Sequence, residues 1–245
     1  MPLFVLHHAF DFPTFAVIMK EKIKIGRISL VIGLLAVLSG SCEKDDNVII
    51  DKDGNRYHTV TIGTQVWMVE NLKTTKFNDG SDIPYVPDSI TWSNLTTAGY
   101  CWCNNNRARN KIPYGALYNY YAVITDKLCP VGWHIPNDEE WYTIMGFLGG
   151  FDVAGGKLKE TGTAHWASPN TGATNESGFT AIPGGYRNTY YKKFYHLGQQ
   201  GYYWHSPLNS LHLNLCENLH SFNTGVTTNL QDSQDGLSVR CIKDN

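Results

Sequence analysis

Among the residues of this 245-residue chain that could do chemistry, the six cysteines are placed most pointedly. Cys42 directly follows an apolar run and stands apart from Cys101, Cys103, Cys129, Cys216 and Cys241. Five is odd, so at least one of these thiols lacks an intrachain partner. Cys101 and Cys103, two residues apart in a chain with nine histidines, fit either disulfide chemistry or metal ligation. A helical zinc site sets two histidines four residues apart on one face. His212 and His220 miss that spacing, and His134, His165, His196 and His205 are scattered. Disulfide or free thiol is therefore expected, with no metal and no other cofactor. No Gly-x-Ser-x-Gly elbow, His-Glu-x-x-His pair or phosphate loop occurs, so common hydrolytic and nucleotide chemistries are not signalled. The densest useful chemistry is aromatic. Tyr186, Tyr190, Tyr191, Phe194, Tyr195, Tyr202, Tyr203 and Trp204 crowd a stretch of 19 residues that also holds Arg187, Lys192 and Lys193. Tyr and Trp pair a flat apolar face with a polar edge, which suits stacking on a sugar or anchoring a protein partner. Two lysines interrupt the segment around Tyr190, Tyr191 and Tyr195, which makes these three the expected exposed ligand-binding residues, with Arg187 beside them.

The element that must come first is one for export. Met19 to Arg27 is a charged stretch and Ile28 to Leu38 an apolar run of 11 residues, the order of a secretory signal. Eleven helical residues cover only about half of the roughly 30 Å hydrocarbon layer, too few for a membrane-spanning helix. Residues 1–18 lack a cationic start, so Met19 is an alternative translation start. The run closes on Leu38-Ser39-Gly40-Ser41-Cys42, which resembles a lipobox except that Ser39 stands where an aliphatic residue is usual. Residues 1–41 are then a signal peptide and Cys42 a lipid attachment point; two or three acyl chains anchor firmly, each buried methylene adding about 0.8 kcal/mol. Lys44, Asp45 and Asp46 follow, resembling the surface-export signal of Bacteroidota-type lipoproteins. The implied location is the outer membrane, lipid-anchored and facing outward, with residues 42–50 as linker. Without the leader the chain keeps 16 basic and 20 acidic residues, a formal charge of −4. Its Lys and Arg are unclustered, so nucleic acid is not an expected partner.

From Asp51 onward, short strand-like runs are broken by Gly, Asn and Asp. Asp51 to Asn55 reads as a turn rather than a calcium loop, because no Gly stands sixth and Ile62 occupies the twelfth position. Tyr57–Ile62 reads as a β-branched strand, with Gln65–Met68 as its hairpin partner. After Pro136 the pattern predicts a helix. Asn137 caps it, Glu140 completes a capping box, Trp141, Ile144, Met145 and Leu148 share one face, and Gly149-Gly150 ends it.

The ordered blocks Asp53-Gly54-Asn55-x-Tyr57, Gln65-x-Trp67-Met68-x-Glu70-Asn71-Leu72, Tyr114-Gly115-Ala116-Leu117-Tyr118-Asn119, Gly132-Trp133-His134-x-Pro136, Pro183-Gly184-Gly185-Tyr186-Arg187 and Ser238-Val239-Arg240-Cys241 resemble the Fibrobacter succinogenes major paralogous domain across 51–245. That resemblance implies an extracellular or surface protein, often a lipoprotein, without an assigned activity. Gly132 to Trp141, with Trp204 and the closing Val239-Arg240-Cys241, is more distantly similar to C-type lectin-like folds, including formylglycine-generating enzymes. This implies an α+β domain with small antiparallel sheets, one or two helices, long loops and termini brought together. As in lectin-like folds, Cys129 would bridge to Cys241, leaving Cys216 for Cys101 or Cys103, with Cys103 favoured. Trp67, Trp133, Trp141, Trp166 and Trp204 would fill the core. Formylglycine-generating enzymes need two late redox cysteines, and only Cys216 lies there before Cys241; the sugar-binding calcium motifs of lectins are also missing. The expected function is a non-catalytic binding or adhesion module for glycans, other surface polymers or a protein ligand. A structural or assembly component of the cell envelope comes second, and an enzyme third.

Overall fold

The computed structural model describes residues 47–207 and 213–244. The leader, Cys42 and Lys44, Asp45 and Asp46 lie outside the described residues. The chain opens as an antiparallel meander of β1 (Val48–Ile50), β2 (Arg56–Ile62) and β3 (Gln65–Met68). The β1–β2 turn is built by Asp51, whose Oδ1 accepts the backbone N–H groups of Asp53 and Asn55, both at 2.9 Å. Short elements follow: α1 (Ser89–Ser93), β4 (Tyr100–Trp102), α2 (Arg107–Asn110), β5 (Ala116–Tyr118), α3 (Tyr120–Val123) and β6 (Trp133–His134).

The two longest helices among the described residues are α4 (Asp138–Phe147) and α5 (Phe151–Leu158). The predicted capping box is present, with the Asn137 side chain accepting from the Glu140 N–H and Glu140 accepting from the Asn137 N–H. Trp141, Ile144, Met145 and Leu148 are all buried, as their spacing requires. The last third contains β7 (Tyr186–Asn188), β8 (Lys193–Tyr195), β9 (Gln200–Trp204), β10 (Leu215–His220), β11 (Val226–Leu230) and β12 (Ile242–Lys243).

This is a mixed α/β domain with few helices and several small antiparallel sheets. The largest sheet has the order β1-β2-β3-β12-β6, a second runs β11-β10-β9, and β4-β5 and β7-β8 are two-stranded. Because β12 inserts between β3 and β6, the last strand closes the sheet begun by the first three. The Cys129–Cys241 disulfide forms beside it, tying positions 112 residues apart. One core cluster joins Tyr57, Tyr118, Trp204, Val239 and the disulfide; another packs Trp67, Trp141, Phe179, Tyr203 and Ile242 under α4 and α5. No helix among the described residues is long and apolar enough to cross a membrane.

Candidate functional site: a tyrosine hairpin

The aromatic stretch folds as the β7–β8 hairpin followed by β9. Across the hairpin Tyr186 faces Tyr195 and Arg187 faces Phe194. Successive strand residues point to opposite faces, and this alternation decides what each can do. Tyr186 and Tyr195 share the half-exposed face. Arg187 and Phe194 share the inner one, so the expectation that Arg187 joins a ligand surface is corrected: it is 1% exposed. Its Nη1 and Nη2 donate to Val86 O (2.7 Å) and Pro87 O (2.9 Å), and its guanidinium lies between the rings of Trp92 and Phe194.

The tip is held from several sides. Asn188 Oδ1 accepts the Tyr191 N–H at 2.7 Å, an Asx-type closure, while Lys192 takes a left-handed φ of 57°. Thr189 N–H donates to Asp235 Oδ1 at 2.7 Å. Asp235 is buried, and that burial lifts its carboxyl to about 6. On this support Tyr190 and Tyr191 stand 78% and 63% exposed, perpendicular to one another at 4.9 Å.

From the tip the aromatics continue inward. Tyr191 meets Tyr195 at 6.1 Å, Tyr195 meets Tyr186 at 5.9 Å, and Tyr186 meets Tyr202 at 4.7 Å. His196 stacks on Tyr202 and its Nδ1 lies 2.8 Å from the Tyr202 hydroxyl. That hydroxyl donates to Gln200 Oε1 at 2.5 Å, so it accepts from His196, which places the imidazole proton on Nδ1. Burial lowers the His196 pKa and, as the largest cause, raises that of Tyr202, favouring the neutral form of both. Asn218 Nδ2 donates to the same Gln200 oxygen at 3.1 Å, and its own buried Oδ1 has no hydrogen-bond partner among the described residues. A row of five tyrosines thus runs from two solvated rings to a neutral polar cluster. Sequence reasoning points to Tyr190, Tyr191 and Tyr195 as the exposed ligand-binding residues, to Tyr186 and Tyr202 only as members of the aromatic stretch and to His196 only as a scattered histidine, and it misses Gln200 and Asn218. The available signal was period-two alternation in β9, which puts Gln200 and Tyr202 on one face.

The other candidate chemistries separate in space. His134 lies between Glu140 and Asp244, His165 pairs with Glu160, and His205 sits between Asp138 and Glu217. Among the described residues no group of three or more His, Cys, Asp or Glu is arranged to hold a metal ion. Cys101, Cys103 and Cys216 are free and buried, which corrects the expected Cys103–Cys216 bridge. Cys103 belongs to a small cluster with Cys101, Trp92 and Leu117, whereas Cys216 faces the cluster around Trp204. Burial raises all three thiols, Cys101 and Cys103 to about 12, so none is an activated nucleophile.

Compared with known proteins, residues 60–243 match the family model described as the Fibrobacter succinogenes major domain. No curated protein and no solved structure matches the chain.

Proposed function

The chain belongs to the Fibrobacter succinogenes major domain family, and from that premise we propose that it is a non-catalytic binding module, held to the outer membrane by lipid on Cys42 and displayed on the cell surface. The ligand is a glycan or another surface polymer. The observation that carries this reading is the pair Tyr190 and Tyr191, two large aromatic rings held in solvent on a hairpin whose base is buried. Exposing such rings forgoes the free energy of burying them, roughly 25 cal/mol per Å² of apolar surface, which a bound partner recovers. A lectin-like arrangement is part of the proposal. It is supported by the first and last strands sharing a sheet, by α4 packing beside them, and by the Cys129–Cys241 bridge.

The test is a screen of the purified protein against glycans and surface polymers, repeated with Tyr190→Ala/Tyr191→Ala. A ligand of the wild type is expected to bind the double variant about tenfold more weakly or worse, equivalent to roughly 1.4 kcal/mol or more. Equal binding by both proteins removes the tyrosine hairpin from the function. Metabolic palmitate labelling that persists in Cys42→Ser would remove the anchor from the reading.

A further inference from the structure

Six of the seven tryptophans are fully buried, namely Trp67, Trp92, Trp102, Trp141, Trp166 and Trp204. Trp133, expected in the core, is only partly so. It stands between two open cavities of about 380 and 440 Å³ that also share Asn78 and Val131. Each is within the roughly 300–1,000 Å³ of small-molecule sites, and being contiguous they fit an elongated ligand better than a compact one. The cleft exists because the largest sheet curls. β1 and β6 are at opposite ends of its strand order, yet Ile49 and Ile50 of β1 line the first cavity together with Trp133 of β6.

Charge narrows the ligand class. Lys76 is paired with Asp82 at 2.5 Å, and His134 with Asp244 at 2.6 Å. Asp51 is occupied by its own turn and by the Tyr57 hydroxyl at 2.6 Å. Lys52 in the first cavity and Asp126 in the second are of opposite sign. A charged ligand would have to shed water without a net opposite charge to meet it. A neutral one with apolar ring faces and hydroxyl edges would find the Trp133 indole and the side-chain oxygen of Asn78, whose Nδ2 is held by Cys129 O at 3.1 Å. We propose that the cleft around Trp133 is a second binding site, for an uncharged oligosaccharide. None of the tyrosine-hairpin residues lines it.

Since the other six indoles are buried, acrylamide quenching of the full-length protein reads Trp133 selectively, and Trp133→Phe verifies the assignment by removing the quenchable component. Cellohexaose, xylohexaose, mannohexaose and maltohexaose are titrated, with an unstructured polar peptide as comparison. At least one sugar is expected to reduce quenching about twofold and saturably, as covering one face of an indole should. Val131→Arg, at a rim position 80% exposed and so tolerant of substitution, is expected to weaken that protection about tenfold. Tyr190→Ala/Tyr191→Ala should leave the protection intact, which separates failure of this site from failure of the hairpin. The proposal is overturned by protection from none of the four sugars, protection from the peptide alone, protection unchanged in Val131→Arg, or protection lost with the tyrosines.

Discussion

Lys159, Arg187 and Arg240 are buried, and among the described residues none is in an ion pair. Their protons go instead to uncharged oxygens, most of them backbone carbonyls. Lys159 Nζ donates to the carbonyls of Thr171, His220 and Asn223 at 2.8–2.9 Å. Arg240 donates to Phe179 O, Thr180 O and Asn71 Oδ1 and stacks on Phe179. A loop-rich domain has many carbonyls that no helix or sheet satisfies, and a multi-donor cation meets several at once. Lys159→Met, which keeps the volume and removes the donors, is therefore expected to lower the urea unfolding free energy by about 3 kcal/mol, since each stranded buried acceptor costs about 1–3. Arg187→Lys is expected to lose about 2 kcal/mol in the same measurement, because an ammonium cannot reproduce the planar fork between Trp92 and Phe194. This is where the sequence misled: Arg187 beside exposed tyrosines looks like a ligand contact, and only strand alternation turns it inward.

Legibility at the level of elements followed how local each element's causes are. The α4 helix could be read in full because its cap, capping box and apolar spacing lie within a dozen residues. The β2–β3 hairpin was equally plain. The β7–β8 hairpin was not, since its strands have three residues each and its register depends on distant contacts, including the paired backbone bonds between Arg187 and Gly236. Gly185 is one such distant cause. It has φ +63°, and a Cβ there would come within 2.4 Å of Tyr195 O and 2.6 Å of Leu197 N. Gly185→Ala is expected to destabilise by about 2 kcal/mol or more and to separate Tyr186 from Tyr195, visible as loss of their near-ultraviolet dichroism. Tyr190→Ala/Tyr191→Ala, touching only the solvated tip, is expected to change stability by less than about 0.5 kcal/mol.

For the molecule as a whole, closure is the dominant event, and two features near β12 hold it. Replacing Cys129 and Cys241 by alanine is expected to cost about 2–5 kcal/mol in thermal or urea unfolding, because the bridge closes more than a hundred residues. The second feature is His134, which Glu140 chiefly, and then Asp244, raise to about 9 against its partial burial, linking α4 to the chain's last residues. The folded protein holds this proton more tightly than the unfolded chain does. Its contribution is therefore complete below about pH 6.5 and disappears as pH rises through about 9. After allowance for solvent screening it amounts to about 2 kcal/mol, and His134→Gln should flatten that stretch of the stability profile. The Cys129–Cys241 bridge could be anticipated through the distant resemblance to lectin-like folds, whereas the fate of the other thiols could not, because cysteine count does not reveal which core cluster each side chain enters. Those three thiols have a use as clocks. Buried and inert in the folded state, they react with an alkylating reagent only when the core around them opens. Cys101 and Cys103 time one cluster and Cys216 another, so native labelling rates would show whether this single-bridged domain comes apart all at once or by halves.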